Sequence, residues 1–117
     1  MANEIQINAT LRYSKSPVGA SLATSFFDDQ VGTKYEAGVQ VVGISEEQLN
    51  KGDVGTIGYL AFRNLDDTNF VELGKATGAY TIKVKPGRGG VVPWGASAVY
   101  LLADTAPINL EYLAIEL

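Results

Sequence analysis

The sequence predicts an all-β fold, a single-domain antiparallel β-sandwich of jelly-roll type over residues 1–117, and three observations predict it. Apolar and polar residues alternate strictly through Ile5-Gln6-Ile7-Asn8-Ala9-Thr10-Leu11-Arg12-Tyr13, the period of a pleated strand with one face toward a core. Val, Ile, Leu and Tyr recur in short runs between turn residues, and 13 glycines are available for the turns. With 117 residues, 46% of them hydrophobic and 19% charged, the chain has room for one core and enough apolar material to fill it.

Taken in order, the first strand is expected to be half-buried through Ile5, Ile7, Ala9, Leu11 and Tyr13. Pro17 and Gly19 punctuate the chain, and residues 21–27 form a second strand that ends at Asp28-Asp29. Tyr35, Ala37, Val39 and Val41 alternate again and give a third. Ser45-Glu46-Glu47-Gln48 has the form of a capping box and predicts one helical turn, which Gly52, Gly55 and Gly58 keep short. Short strands follow at 57–64, 69–74, 80–85, 91–94, 98–103 and 110–117, for a total of about eight or nine. Pro86-Gly87 is a turn dipeptide, Pro93 marks an edge or a bulge, and Pro107 separates the last two strands. In the last strand Leu113, Ile115 and Leu117 share one face, with Leu110, Tyr112 and Ala114 on or near the other. A strand apolar on both faces is central to its domain or covered by another subunit.

The composition bears on chemistry. There is no cysteine and no histidine, which removes thiolate metal sites, disulfides and the commonest general base. Nine basic against 13 acidic residues disfavour a partner as densely negative as nucleic acid. The first residues lack the basic and apolar regions of an export signal, and no long apolar run suggests a membrane partner. The expectation is a soluble protein made in the cytoplasm. Asn64-Leu65-Asp66-Asp67-Thr68-Asn69 concentrates oxygen ligands but lacks the spacing of a calcium loop, so it reads as a turn capped by its own side chains. Lys85-Pro86-Gly87-Arg88-Gly89-Gly90 is rich in glycine but is followed by Val91-Val92-Pro93-Trp94 rather than by a helix, so it too reads as a turn. Gly95-Ala96-Ser97-Ala98-Val99 lacks the closing glycine and the histidine of a serine nucleophile. Neighbouring carboxylates such as Asp28-Asp29 or Glu46-Glu47 point to opposite faces of a strand, unlike a glycosidase pair. No enzyme and no cofactor are expected. Most aromatic residues fall in strands and read as core, with Tyr59, Tyr80 and Tyr112 as candidates for a contact surface.

One stretch carries a resemblance. Gly58-Tyr59-Leu60-Ala61-Phe62-Arg63-Asn64-Leu65-Asp66-Asp67-Thr68-Asn69-Phe70-Val71-Glu72-Leu73-Gly74 is similar to a segment of small virion proteins of tailed bacteriophages. There an apolar strand leads to Asn-Leu-Asp, a short turn, and Asn-aromatic-Val-Glu-apolar-Gly. The likeness continues through the turn in Ile82-Lys83-Val84-Lys85-Pro86-Gly87 and the closing strand Leu110-Glu111-Tyr112-Leu113-Ala114-Ile115-Glu116-Leu117, and it covers about half the chain, residues 58–117. Residues 1–57 share only the strand pattern. The resemblance implies a capsid decoration or cement protein, a trimer on the outside of the head that clamps the major capsid protein, with no catalytic residues. A tail, collar or fibre-base component is the alternative position, and a carbohydrate- or receptor-binding module the alternative class. The expected interface combines the first and last strands: Ile5, Ile7, Leu11, Tyr112, Leu113, Ile115 and Leu117.

Overall fold

The computed structural model describes residues 3–117, and all its regular elements are strands. β1 (Ile5–Lys15) and β2 (Val18–Asp28) pair antiparallel along their whole length as a two-stranded ribbon. Eight further strands follow: β3 (Tyr35–Val42), β4 (Glu47–Gln48), β5 (Ile57–Asn64), β6 (Val71–Ala76), β7 (Ala79–Val84), β8 (Gly89–Ala96), β9 (Tyr100–Ala103) and β10 (Ile108–Glu116). They build two four-stranded sheets, ordered β3-β10-β5-β8 and β4-β9-β6-β7. The ribbon, up to Val31, is one compact unit and Gly32–Leu117 the other. The sandwich that the sequence predicts over 1–117 therefore occupies residues 32–117.

The sandwich has the topology of a jelly roll. β3 pairs with β10, β4 with β9, β5 with β8 and β6 with β7, the pairing of one long hairpin. Further pairings of β10 with β5 and of β9 with β6 roll that hairpin into two sheets. The strand signals read from sequence place these elements to within a few residues. Pro93 lies in β8, an edge strand whose register against β5 shifts opposite it, as the missing N–H requires.

The inward faces of the two sheets supply the core. Leu60 of β5, Trp94 of β8 and Leu110 and Ala114 of β10 pack with Val71 and Leu73 of β6 and Leu101 and Ala103 of β9, all buried. Each large aliphatic side chain buried in this way contributes about 1.5–3 kcal/mol. The Trp94 indole N–H donates to the Ala98 carbonyl at 2.9 Å, so its polar atom is satisfied.

Geometry demands glycine at Gly87 and Gly74, among others. Arg88 N donates to Lys85 O at 3.1 Å across Pro86-Gly87, with Gly87 at φ +71°. This is the arrangement of a type II turn, with Pro at its second position and Gly at its third. At Gly74 a side chain would run into the Ala79 carbonyl, because β6 and β7 approach there at an irregularity in their register.

The helical turn expected at Ser45-Glu46-Glu47-Gln48 does not form. Glu47 and Gln48 are β4, paired with Leu101 and Tyr100. The carboxylates of the box are engaged elsewhere: Glu47 accepts from Gly43 N, and Glu46 accepts from Gly78 N at 2.8 Å and from the hydroxyls of Thr77 and Tyr80.

Candidate interaction surfaces

The strand β3 is amphipathic in reverse. Its odd positions are apolar and would ordinarily face a core, but Tyr35 is 67%, Val39 57% and Val41 64% exposed. The opposite face carries Gln40, and its amide is fully occupied. Its nitrogen donates to Glu47 Oε1 (3.0 Å) and Gln48 O (3.1 Å), and its oxygen accepts from Asn50 N (2.8 Å). The inward side of β3 thus holds the β4 segment by polar contacts, and the apolar side is left to the surface.

The neighbouring strands extend that surface. Leu113 stands beside Ala37 and Ala61, Ala61 beside Val91, and Ile115 beside Tyr35. A shallow depression over these strands is lined by Ala37, Val39, Ala61, Val91 and Leu113. Its charged members are Arg63 and Glu111, which satisfy each other through an ion pair, with Arg63 Nε donating to Glu111 Oε1 at 2.9 Å. The outer face of the other sheet differs: Glu72 sits opposite Lys83, and the Lys83 ammonium lies 4.1 Å from the centre of the Phe70 ring.

The ribbon offers a second apolar surface. Residues directly opposite in an antiparallel pair share a face, so the register sets Ile7 beside Phe26, Leu11 beside Leu22, Tyr13 beside Ala20 and Lys15 beside Val18. Leu11 and Leu22 are each 75% exposed, and Tyr13 and Val18 are exposed as well. The other face is mostly polar, with Phe27 and Ala23 as its apolar residues. It carries Gln6, Asn8, Thr10, Arg12, Ser21 and Ser25, and the Ser25 hydroxyl donates to Asn8 Oδ1.

Of the residues expected at an interface, Ile7 and Leu11 share the apolar face of the ribbon, and Leu113 and Ile115 share the outer face of the β3-β10-β5-β8 sheet. Leu117 is exposed past the end of β10, over Gly58. Ile5 and Tyr112 are buried within the chain, Tyr112 because β10 is a central strand whose even positions face the core. The Tyr112 hydroxyl donates to Asn50 O at 2.5 Å, and burial, with Glu36 nearby, raises its pKa. The half-burial expected of the first strand is corrected, since Leu11 and Tyr13 lie open. Tyr35, Val39, Val41 and Leu22 complete the two exposed apolar faces and were not singled out in the sequence. Their alternation was visible, but not the direction in which it points.

The polar clusters noted in the sequence are spent on turns. Asn64, fully buried, donates to Asn69 O (2.9 Å) and Val84 O (3.1 Å) and accepts from Asp66 N (2.9 Å). Asp66 accepts from the backbone N–H groups of Asn69 and Thr68, which hold its carboxyl below the usual range. Glu46 is lowered likewise by its donors Thr77, Tyr80 and Gly78, and Tyr80 is pushed up to about 12 by donating to Glu46. Lys51 donates to the carbonyls of Gly55 and Ser97. Among the described residues no group of three or more Asp or Glu is placed to hold a metal ion, and no helix is long and apolar enough to cross a membrane. Compared with family models, with curated proteins and with solved structures, the chain matches none.

Proposed function

We propose that the protein is a structural component of a phage particle, a trimeric decoration protein that binds the outside of the head and stabilises the lattice of the major capsid protein. The observation that carries this reading is the reversed β3, which turns Tyr35, Val39 and Val41 to the surface beside Leu113 and Val91. A contiguous apolar surface of this kind is a contact surface. Support also comes from the jelly roll, an architecture used by viral capsid domains and by lectins, and from the resemblance of residues 58–117 to small virion proteins. A decoration protein that binds only the assembled shell stabilises that state by mass action.

The test is cosedimentation of the purified protein with phage heads stripped of their accessory proteins, followed by cryo-electron microscopy. Saturable binding between capsomers is the expected result. Absence from heads combined with recovery in tail fractions would move the protein to the tail, collar or fibre base. A second class, the carbohydrate- or receptor-binding module, is favoured by the exposed Tyr35 ring, since aromatic rings suit sugar faces. Binding to host glycans that Tyr35→Ala abolishes, with heads ignored, would establish it instead.

A further inference from the structure

We infer that the apolar face of the ribbon is covered by a second copy of the chain: it lies on that copy's outer β3-β10-β5-β8 face, and each copy both gives a ribbon and receives one. A two-stranded hairpin by itself is only marginally stable in water. β1 and β2 nevertheless pair along 11 positions with Leu11 and Leu22 standing in solvent, so the ribbon calls for a cover. A cover of matching chemistry is present on the same molecule, where Val39, Val41, Val91 and Leu113 line an open sheet face.

Area selects the arrangement. At about 3.4 Å per residue and 4.8 Å per strand, an 11-residue ribbon presents a face of roughly 350 Å² and the four-stranded sheet one of roughly 500 Å². Two ribbons stacked on each other would bury about 350 Å² per copy, well short of the roughly 800 Å² per partner of a stable complex. When the same two copies exchange ribbons, about 700 Å² is buried per partner, close to that requirement. In a head-to-tail ring of three each copy divides that area between two neighbours, and closure of the ring holds the three contacts together. Charges suit the fit, because on the ribbon's apolar face they stand only at its two ends, Lys15 and Asp28, and the sheet's Arg63 and Glu111 neutralise each other.

The test uses the purified full chain without capsids, so it can fail independently of the head-binding reading. The chain has no cysteine, which leaves no background for thiol cross-linking. Chains carrying Leu22→Cys are mixed with chains carrying Leu113→Cys and oxidised. A disulfide-linked pair containing one chain of each kind is expected to predominate over pairs of like chains. Leu11→Asp with Leu22→Asp, and separately Val39→Asp with Leu113→Asp, are expected to reduce the oligomer to monomer by light scattering, with emission of the buried Trp94 unchanged to show that the sandwich is intact. Like-with-like Leu22→Cys pairs would overturn the inference in favour of stacked ribbons. So would a monomeric internal bridge in the Leu22→Cys, Leu113→Cys double variant, or an oligomer that survives both aspartate pairs. A dimer with the mixed cross-link would uphold the exchange and overturn the trimeric count.

Discussion

Leu11 in the ribbon and Leu60 in β5 both occupy alternating strands, yet Leu11 stands in solvent and Leu60 is completely buried. The difference lies in what is opposite. β5 is flanked by β10 and β8, and its inner face meets the second sheet through Leu73 and Leu101. The ribbon has two strands and no second layer of its own. The same contrast runs through the sandwich at β3, whose apolar side looks outward while its polar side grips β4 through Gln40. Apolar alternation therefore has two outcomes in one chain: inside the sandwich it makes a core, and on the ribbon and the outer β3 face it makes exposed apolar surfaces.

The comparison can be broken at its strongest point first. Leu60→Ala or Leu101→Ala is expected to cost about 2–5 kcal/mol, through lost burial and a cavity, measured by urea unfolding in dilute solution. Under the same conditions Leu11→Ala is expected to stay within about 0.5 kcal/mol, the range of a surface change. A large loss at Leu11 would mean that the ribbon is already covered in the single chain. Next is Asn64→Ala, which leaves the Val84 carbonyl unpaired in the interior and removes the partly buried bonds to Asn69 O and from Asp66 N, at an expected cost of about 1–3 kcal/mol. Smaller again is Arg63→Met, whose ion pair with Glu111 is exposed; a change within about 1 kcal/mol, shrinking further in salt, is expected.

The pH response sharpens the contrast most gently. The carboxyls of Glu46 and Asp66 have lowered pKa values in the fold. Their contribution is present above the ordinary carboxylate range and is lost as pH falls through the lowered values. For Tyr80, raised to about 12, the sign reverses: its contribution is present below the ordinary tyrosine value near 10 and is lost as pH rises toward 12. Unfolding curves of the wild type and Glu46→Gln should converge in acid, since only the wild type loses a carboxylate there. A constant separation across the acid range would show that Glu46 acts through shape alone.

Much of the fold was legible from residue order. Period-two runs located β1 and β3, short apolar runs between turn residues located β5 and β10, and Pro86-Gly87 located the turn before β8. Asn64 through Asn69 read as a turn because Asn and Asp bond their own backbone. These are local properties, carried by neighbouring residues. The exposed apolar faces were legible only in part: Leu11, Leu113 and Ile115 were named among surface candidates, as was Tyr112, which is buried, while Tyr35, Val39 and Val41 were passed over.

By itself, then, the sequence determined that the chain makes strands, where most of them turn, and that an antiparallel sandwich results. Only the tertiary structure decided which way the strands face and what they meet. Alternation specifies a period and leaves direction open: the inward positions of β3 hold Val42, which joins the core, and Gln40, which bonds the β4 segment. Likewise Ser45-Glu46-Glu47-Gln48 had the letters of a helix cap, but Thr77, Gly78 and Tyr80, some thirty residues away in sequence, claimed Glu46. Contacts at that separation exist only once the sheets have rolled together, and no local pattern encodes them.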